Sequence, residues 1–438
     1  MRLWIACLLA LCFGAGQARA QEFDVIRAQP LPQVTPVSPE AFAKQTKLYE
    51  EVPAGDINLA YRLRLPTTWE KSKDAGLGGL KISKSVLGEV ARYYGPPLLD
   101  KRSSFSVEAL QVDYEISAKN WFTDFILSNG YTLEGMKVVS DTQVEAIYVY
   151  IEKDISYVSR VVAQVTGNRV ILAQYFVPYD FWAEEKGMQA ACLSSFVLTN
   201  PDRRATEIMD TYVFLDLIEF EYPISWAARA PAVSTLDRMG ATLISTSDLK
   251  TLNGQIDVQV IARKSDQIAL SDEVKKLRDR IARKSDFRVG ERIEMIPTFM
   301  FQPEIRAATI EAYMGTSAED YERLIGYEIW SGVLVEDQYY YLIAMLTPAR
   351  NNDFLRWARN AKAFERVAES IHSEVSEKDP GALARRERER RRREEAAALD
   401  QPEWDLSPEK VKARKLREKR NAPGSEERVD PDYQPPAQ

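Results

Sequence analysis

Apolar and polar positions alternate along two long stretches of the chain, 57–198 and 211–373, and each alternation is interrupted by segments whose apolar residues recur at helical spacing. In the first stretch the period of two predicts a strand over 106–113. Ser117 is placed to cap a helix that runs through Leu127 and stops at Asn129-Gly130. Three strands are predicted next, over 131–139, 144–151 and 157–165, with turn pairs at Ser140-Asp141 and Lys153-Asp154. Gly167-Asn168 leads into a strand over 170–177, and Pro178 into a helix carrying Phe181 and Trp182.

The second stretch follows the same order. A strand is predicted over 256–262, a helix from a cap at Ser271 to Ala282, and strands over 292–299, 306–313, 322–330 and 339–346. Pro348 then opens a helix with Phe354 and Trp357. Links of hairpin length require antiparallel pairing, because a parallel connection needs a crossover of about a dozen residues.

The openings of the two stretches follow one plan. Leu63-Arg-Leu65-Pro66-Thr-Thr-Trp69 is answered by Phe220-Glu-Tyr222-Pro223-Ile-Ser-Trp226, and both end in Pro-x-x-Trp. By contrast, Ile261-Ala-Arg-Lys-Ser-Asp266 recurs as Ile281-Ala-Arg-Lys-Ser-Asp286 at a strand end and a helix end, so that identity marks no structural repeat. Helices must bury one stripe each against a sheet face. The expected fold is therefore α+β, with two tandem α/β/α sandwich domains whose sheets are mainly antiparallel.

The two openings resemble the PsbP-like domain family, whose members begin with a strand running into a Pro-x-x-Trp turn and close with a strand and a long helix. The matching positions are Leu65-Pro66-Thr-Thr-Trp69 and Tyr222-Pro223-Ile-Ser-Trp226. The resemblance spans both stretches. It implies an α/β/α sandwich and non-enzymatic binding or assembly modules, and it supplies no catalytic residue. The same residues have a structural use: proline fixes the turn and tryptophan plugs the sheet edge.

What flanks the two domains changes the picture of where the protein works. Arg2, an apolar core over 3–13 and Ala18-Arg19-Ala20 have the order of a secretory signal, with cleavage expected at Ala20-Gln21. The apolar run is shorter than the roughly 20 residues needed to span a bilayer. Residues 21–56, rich in proline, are expected to form an extended leader, and the polar residues 199–210 a linker. Residues 374–438 are expected to be a charged helical or disordered tail. The expected location is the periplasm or the extracellular space.

Charge and cysteine content follow from that processing. Losing residues 1–20 removes Arg2 and Arg19, so the formal charge of −7 becomes −9. It also removes Cys7 and Cys12, which leaves Cys192 alone in an apolar helical stretch and excludes an intrachain disulfide. Two ordinary apolar cores must hold the protein together.

Catalytic inventory is thin. The one histidine, His372, is expected at a helix C-terminus, a position where imidazolium favours the dipole. A Ser-His-Asp or Cys-His pair could be assembled only around that position, a histidine-based zinc site is excluded, and no glycine-rich phosphate loop follows a strand. Asp113, Glu115, Glu134 and Glu145 could in principle support carboxylate hydrolysis, though nothing in their spacing makes them converge. No cofactor is expected.

Two features could make contacts. Tyr148 and Tyr150 share a strand face, and Tyr93-Tyr94 precede Gly95-Pro96-Pro97 in what reads as an aromatic-anchored loop. In the tail, Arg385, Arg386, Arg388, Arg390, Arg391, Arg392 and Arg393 form a basic run, and a second run over 410–420 starts with Ser407 and Pro408 suited to a helix cap. Bases and acids nearly cancel over the tail as a whole. Outside the cytoplasm the available partners are envelope proteins, anionic lipid and cell wall rather than nucleic acid. The expected function is a non-catalytic interaction or assembly protein of the bacterial cell envelope. The alternatives are a small-molecule or lipid carrier with an aromatic groove, and a carboxylate hydrolase.

Overall fold

Ser38 caps a short helix, with Pro39 at its first position and Ala41 N–H donating to Ser38 Oγ at 3.3 Å. The computed structural model describes residues 29–73, 86–231, 234–246, 252–263, 268–284, 287–296, 300–317 and 326–373. The expected signal over 1–20 and the tail over 374–438, including the basic run from Arg385 to Arg393, lie outside them.

The first half runs α1 (Pro39–Gln45), β1 (Thr46–Glu51), β2 (Tyr61–Pro66), β3 (Glu70–Lys71), β4 (Gly88–Tyr94), β5 (Ser104–Gln111), α2 (Ala118–Asn129), β6 (Thr132–Ser140), β7 (Gln143–Glu152), β8 (Ile155–Thr166), β9 (Arg169–Pro178), α3 (Tyr179–Ser194) and β10 (Val197–Leu198). The second half runs β11 (Met209–Phe214), β12 (Ile218–Pro223), β13 (Ala227–Arg229), β14 (Arg238–Thr246), β15 (Leu252–Ala262), α4 (Leu270–Lys284), β16 (Phe287–Met295), β17 (Ala307–Ser317), β18 (Tyr327–Val335), β19 (Tyr339–Pro348), α5 (Phe354–Ser370) and β20 (His372–Ser373).

Each half builds one seven-stranded sheet in the same order, β3-β4-β5-β9-β8-β7-β6 and β13-β14-β15-β19-β18-β17-β16. Every neighbouring pair in both is antiparallel. The fold is α+β, as the alternation predicts. Local chemistry closes the elements: Asn120 N–H donates to Ser117 Oγ at 3.2 Å, and Gly130 ends α2 in the left-handed region at φ 64°. Lys153 and Asp154, at φ 50° and 64°, make the tight turn between β7 and β8.

A small three-stranded sheet accompanies each large one, β1-β2-β10 in the first half and β11-β12-β20 in the second. The duplication extends to single hydrogen bonds. Arg64 N–H donates to Ser195 Oγ at 2.9 Å, and Glu221 N–H donates to Ser370 Oγ at 2.8 Å, each serine lying at the end of the last helix of its half. The paired turns agree as well, with Trp69 N–H on Pro66 O at 3.0 Å and Trp226 N–H on Pro223 O at 2.9 Å.

Two expectations need correction. The stretch read as an extended leader contains α1 and β1, because Ser38-Pro39 starts a helix and the alternation of 46–51 is strong enough to pair with β2. Its upstream part is held too: Met136 N–H, on the edge strand β6, donates to Gln29 O at 2.8 Å. The linker is also anchored, since Glu115 accepts from Thr206 N–H at 2.7 Å and Asp202 N–H donates to Thr166 Oγ1 at 2.6 Å.

The two halves share a core. α3 and the first small sheet cover one face of the first large sheet around Tyr93, Phe105 and Tyr175, and α4 covers one face of the second around Leu277, Ile281 and Leu342. A third cluster is continuous from Phe122 and Ile126 of α2 to Phe354, Trp357 and Phe364 of α5, and α2 packs against α5. The described residues up to His372 accordingly form one compact unit.

Helical spacing explains how α5 does this. Phe354, Trp357, Ala358, Ala361, Phe364 and Ala368 form the stripe buried on the second sheet. Arg359, Lys362 and Arg366 form another, and it meets the first half. The Arg359 guanidinium lies 4.1 Å from the Tyr114 ring centroid, Lys362 Nζ is 2.8 Å from Asp141 Oδ2, and Arg366 Nη2 is 3.9 Å from Glu115 Oε2.

Candidate functional site

Strand register gathers tyrosines on one face of the first sheet. Tyr94 pairs with Ser104, Ser104 with Phe176, Phe176 with Ser159 and Ser159 with Tyr148, so these five residues form a row across β4, β5, β9, β8 and β7. Side chains directly opposite in antiparallel strands project to the same side. Arg92, Ser106, Gln174, Tyr150 and Tyr157 point the same way by the same parity.

The rings are in contact. Tyr131 stacks on Tyr148 with centroids 5.0 Å apart, Tyr150 stacks on Tyr157 at 5.4 Å, and Tyr150 meets Phe176 edge-on at 5.6 Å. Between them lie the small side chains Ser104, Ser106 and Ser159. A polar chain crosses beneath: Tyr148 O–H donates to Gln174 Oε1 at 2.6 Å, Gln174 N–H to Glu108 Oε2 at 3.3 Å, and Ser106 O–H to Glu108 Oε1 at 3.0 Å.

Burial dominates the electrostatics here. It pushes the Glu108 carboxyl above its ordinary range, against the opposing pull of Ser106 and of Arg92, whose Nη2 is 3.8 Å away. It pushes the hydroxyls of Tyr148 and Tyr150 up as well, so both remain protonated donors at neutral pH. The face offers aromatic walls, hydroxyls on its floor and one carboxyl beside one guanidinium. Such a set can hold a planar or apolar group and orient a polar head.

Three of the four tyrosines singled out from sequence therefore share this face. Tyr94 and Tyr150 are half-buried, and Arg102 sits over the Tyr94 ring at 5.0 Å. Tyr148 is buried within the cluster. Tyr93 departs from expectation: it lies within β4 rather than anchoring a loop, points to the opposite face, is 0 % exposed, and its hydroxyl bonds Tyr61 at 2.8 Å. Strict alternation forbids neighbours from sharing a face, which is why the Tyr93-Tyr94 pair divides. The acids do not converge. Asp113 and Glu134 are exposed, Glu145 lies on β7 with the opposite parity to Tyr148, and Glu115 is buried holding the linker. His372 follows α5, with Nδ1 2.8 Å from Ser370 O and Nε2 3.2 Å from Glu219 Oε1.

A concavity lies where the halves meet, lined by Tyr114, Glu115, Glu207, Trp226, Arg356 and Arg359 among others. Sequence reading missed it, because it depends on α5 meeting the linker and the segment between β5 and α2. The basic stripe of α5 was the available signal. Among the described residues no three metal-ligating side chains converge, and no helix is long and apolar enough to cross a membrane.

No protein-family model matches the chain, and no curated protein matches it. Solved structures give distant likenesses. The Ran-binding protein Mog1p of Saccharomyces cerevisiae matches over 38 % of this chain and 95 % of its own, at 9 % identity and TM-score 0.26. PsbP (CyanoP) of Synechocystis sp. PCC 6803 matches over 39 % and 99 %, at 13 % identity and TM-score 0.22. The immunity protein TplEi of the T6SS of Pseudomonas aeruginosa matches over 71 % and 94 %, at 8 % identity and TM-score 0.19. These likenesses concern fold alone.

Proposed function

We propose that this chain is an exported, non-catalytic interaction protein of the bacterial cell envelope, in which two PsbP-like modules act as one rigid body. The observation that carries this reading is the set of contacts that Arg359, the buried Lys362 and Arg366 of α5 make with Tyr114, Asp141 and Glu115 of the first half. Two modules fixed in this way present surfaces at a constant spacing, which suits a scaffold that binds by shape rather than by local motion. The tail then serves as reach toward other envelope proteins, with anionic lipid or cell wall as further polyanionic contacts for the arginine run.

The test is affinity isolation from envelope extracts with the full chain and with a chain ending at residue 373. Recovery of a defined partner supports the reading, and its loss on truncation assigns the contact to the tail. A chain that comes through both experiments alone, or that is found unprocessed inside the cell, contradicts it.

The tyrosine face favours a second reading, a carrier for a small aromatic or lipid-like compound. Native mass spectrometry of freshly isolated protein checks this: the carrier reading expects a bound mass that is lost in Tyr150→Ala. A chain of bare polypeptide mass removes it.

A further inference from the structure

We propose that copies of this chain associate head to tail, the outer face of the first small sheet of one copy binding the outer face of the second small sheet of the next. This goes beyond the reading above and stands without any foreign partner. It rests on a charge reversal at equivalent positions. In β2, Tyr61, Leu63 and Leu65 point into the core, so Arg62 and Arg64 point outward. In β12, Ile218, Phe220 and Tyr222 point inward, so Glu219 and Glu221 point outward. Aligned on their Pro-x-x-Trp turns, Arg62 corresponds to Glu219 and Arg64 to Glu221.

The surroundings suit an interface. Leu48 and Val197, paired with Arg64 and Arg62, are 50 % and 47 % exposed, and Val213, paired with Glu219, is 46 % exposed. The charged groups are held in place: Arg64 Nε donates to Thr46 Oγ1 at 3.1 Å, and Glu219 lies beside His372. Glu50, opposite Arg62, moderates the basic face but does not reverse it. Two different patches meeting in one contact make a heterologous interface, which continues from copy to copy into a ring or a filament.

Sedimentation velocity of the full chain over a range of concentrations reads this directly. Association is expected at low salt, and it should weaken at about 1 M salt, where the Debye length is about 3 Å. R62E gives a chain acidic on both faces, and the double variant E219R/E221R a chain basic on both. Each alone should associate more than about tenfold more weakly, because like charges then face each other. Mixing the two should restore a complex containing one of each. Circular dichroism of each variant separates a failed interface from a failed fold, and the mixing result requires both to be folded. A wild-type chain that stays monomeric at low salt, or association that neither reversal weakens, overturns the proposal.

Discussion

Lys362 and Asp141 are 221 residues apart in the chain and 2.8 Å apart in the fold. The lysine is only 5 % exposed, its partner 52 %. Burial works against the charged amine, and the carboxylates of Glu365 and Asp141 outweigh it, holding the Lys362 pKa above its ordinary value. The contact joins α5 of the second half to the turn after β6 of the first.

Replacing Lys362 with methionine keeps the stem and removes the charge. The expected cost is about 1–3 kcal/mol, whereas Asp141→Asn should cost less than about 1 kcal/mol because that carboxylate is half in water. Urea denaturation of the single and double variants measures the coupling. Strict additivity would show that the pair does not hold the halves together.

Glu328 should matter more. It is 1 % exposed, accepts from Arg350 Nε at 2.7 Å, and accepts from the indoles of Trp330 and Trp357 at 3.1 and 2.9 Å. Burial works against the charged guanidinium of Arg350, and Glu328 and Glu294 more than compensate. Removing Glu328 leaves the buried Arg350 with Glu294 alone and takes the acceptor from both indoles, so Glu328→Ala is expected to destabilise by about 3–5 kcal/mol. A loss below about 1 kcal/mol in thermal or urea unfolding would count against a closed network.

Glu185 supplies a pH dependence. Burial raises its pKa, while the hydroxyls of Ser103 and Tyr175, donating at 2.9 and 3.2 Å, pull the other way without cancelling it. A carboxyl with a raised folded pKa binds its proton more tightly in the native state. Its stabilising contribution is therefore complete below the unfolded value of about 4.3 and is lost as pH rises through the folded one. Glu185→Gln should gain stability relative to wild type as pH is raised from about 4 to about 7. A difference that stays constant across that range would rule this assignment out.

Cys192 is 0 % exposed, and burial pushes its thiol up to about 12. A thiol reagent at neutral pH should label it no faster than the protein unfolds. Rapid stoichiometric labelling of native protein would place the side chain elsewhere.

Much of this fold can be read from residues whose effect is local. Ser117 and Gly130 bracket α2 because a cap and a left-handed terminator act within one turn, and Lys153-Asp154 makes its hairpin for a similar reason. The strands β4 and β14 are harder to see. β4 follows residues with no alternation, and its bulge between Glu89 and Ala91 breaks the period of two. At the candidate site, alternation alone places Tyr148 and Tyr150 together. Adding Tyr94 requires knowing that β5, β9 and β8 lie between, which is a matter of sheet order. Tyr93 was misjudged because adjacent tyrosines read as a loop anchor when they end a strand. The junction of the halves was invisible because no local pattern says which helix stripe meets which neighbour.

Hydrogen exchange across a denaturant series most directly tests whether the two halves behave as one body. Peptides from β8 and β9 and peptides from β18 and β19 should lose protection at the same denaturant concentration, with the same opening free energy. Loss of protection in one pair while the other stays native would show two independent domains and would contradict the account.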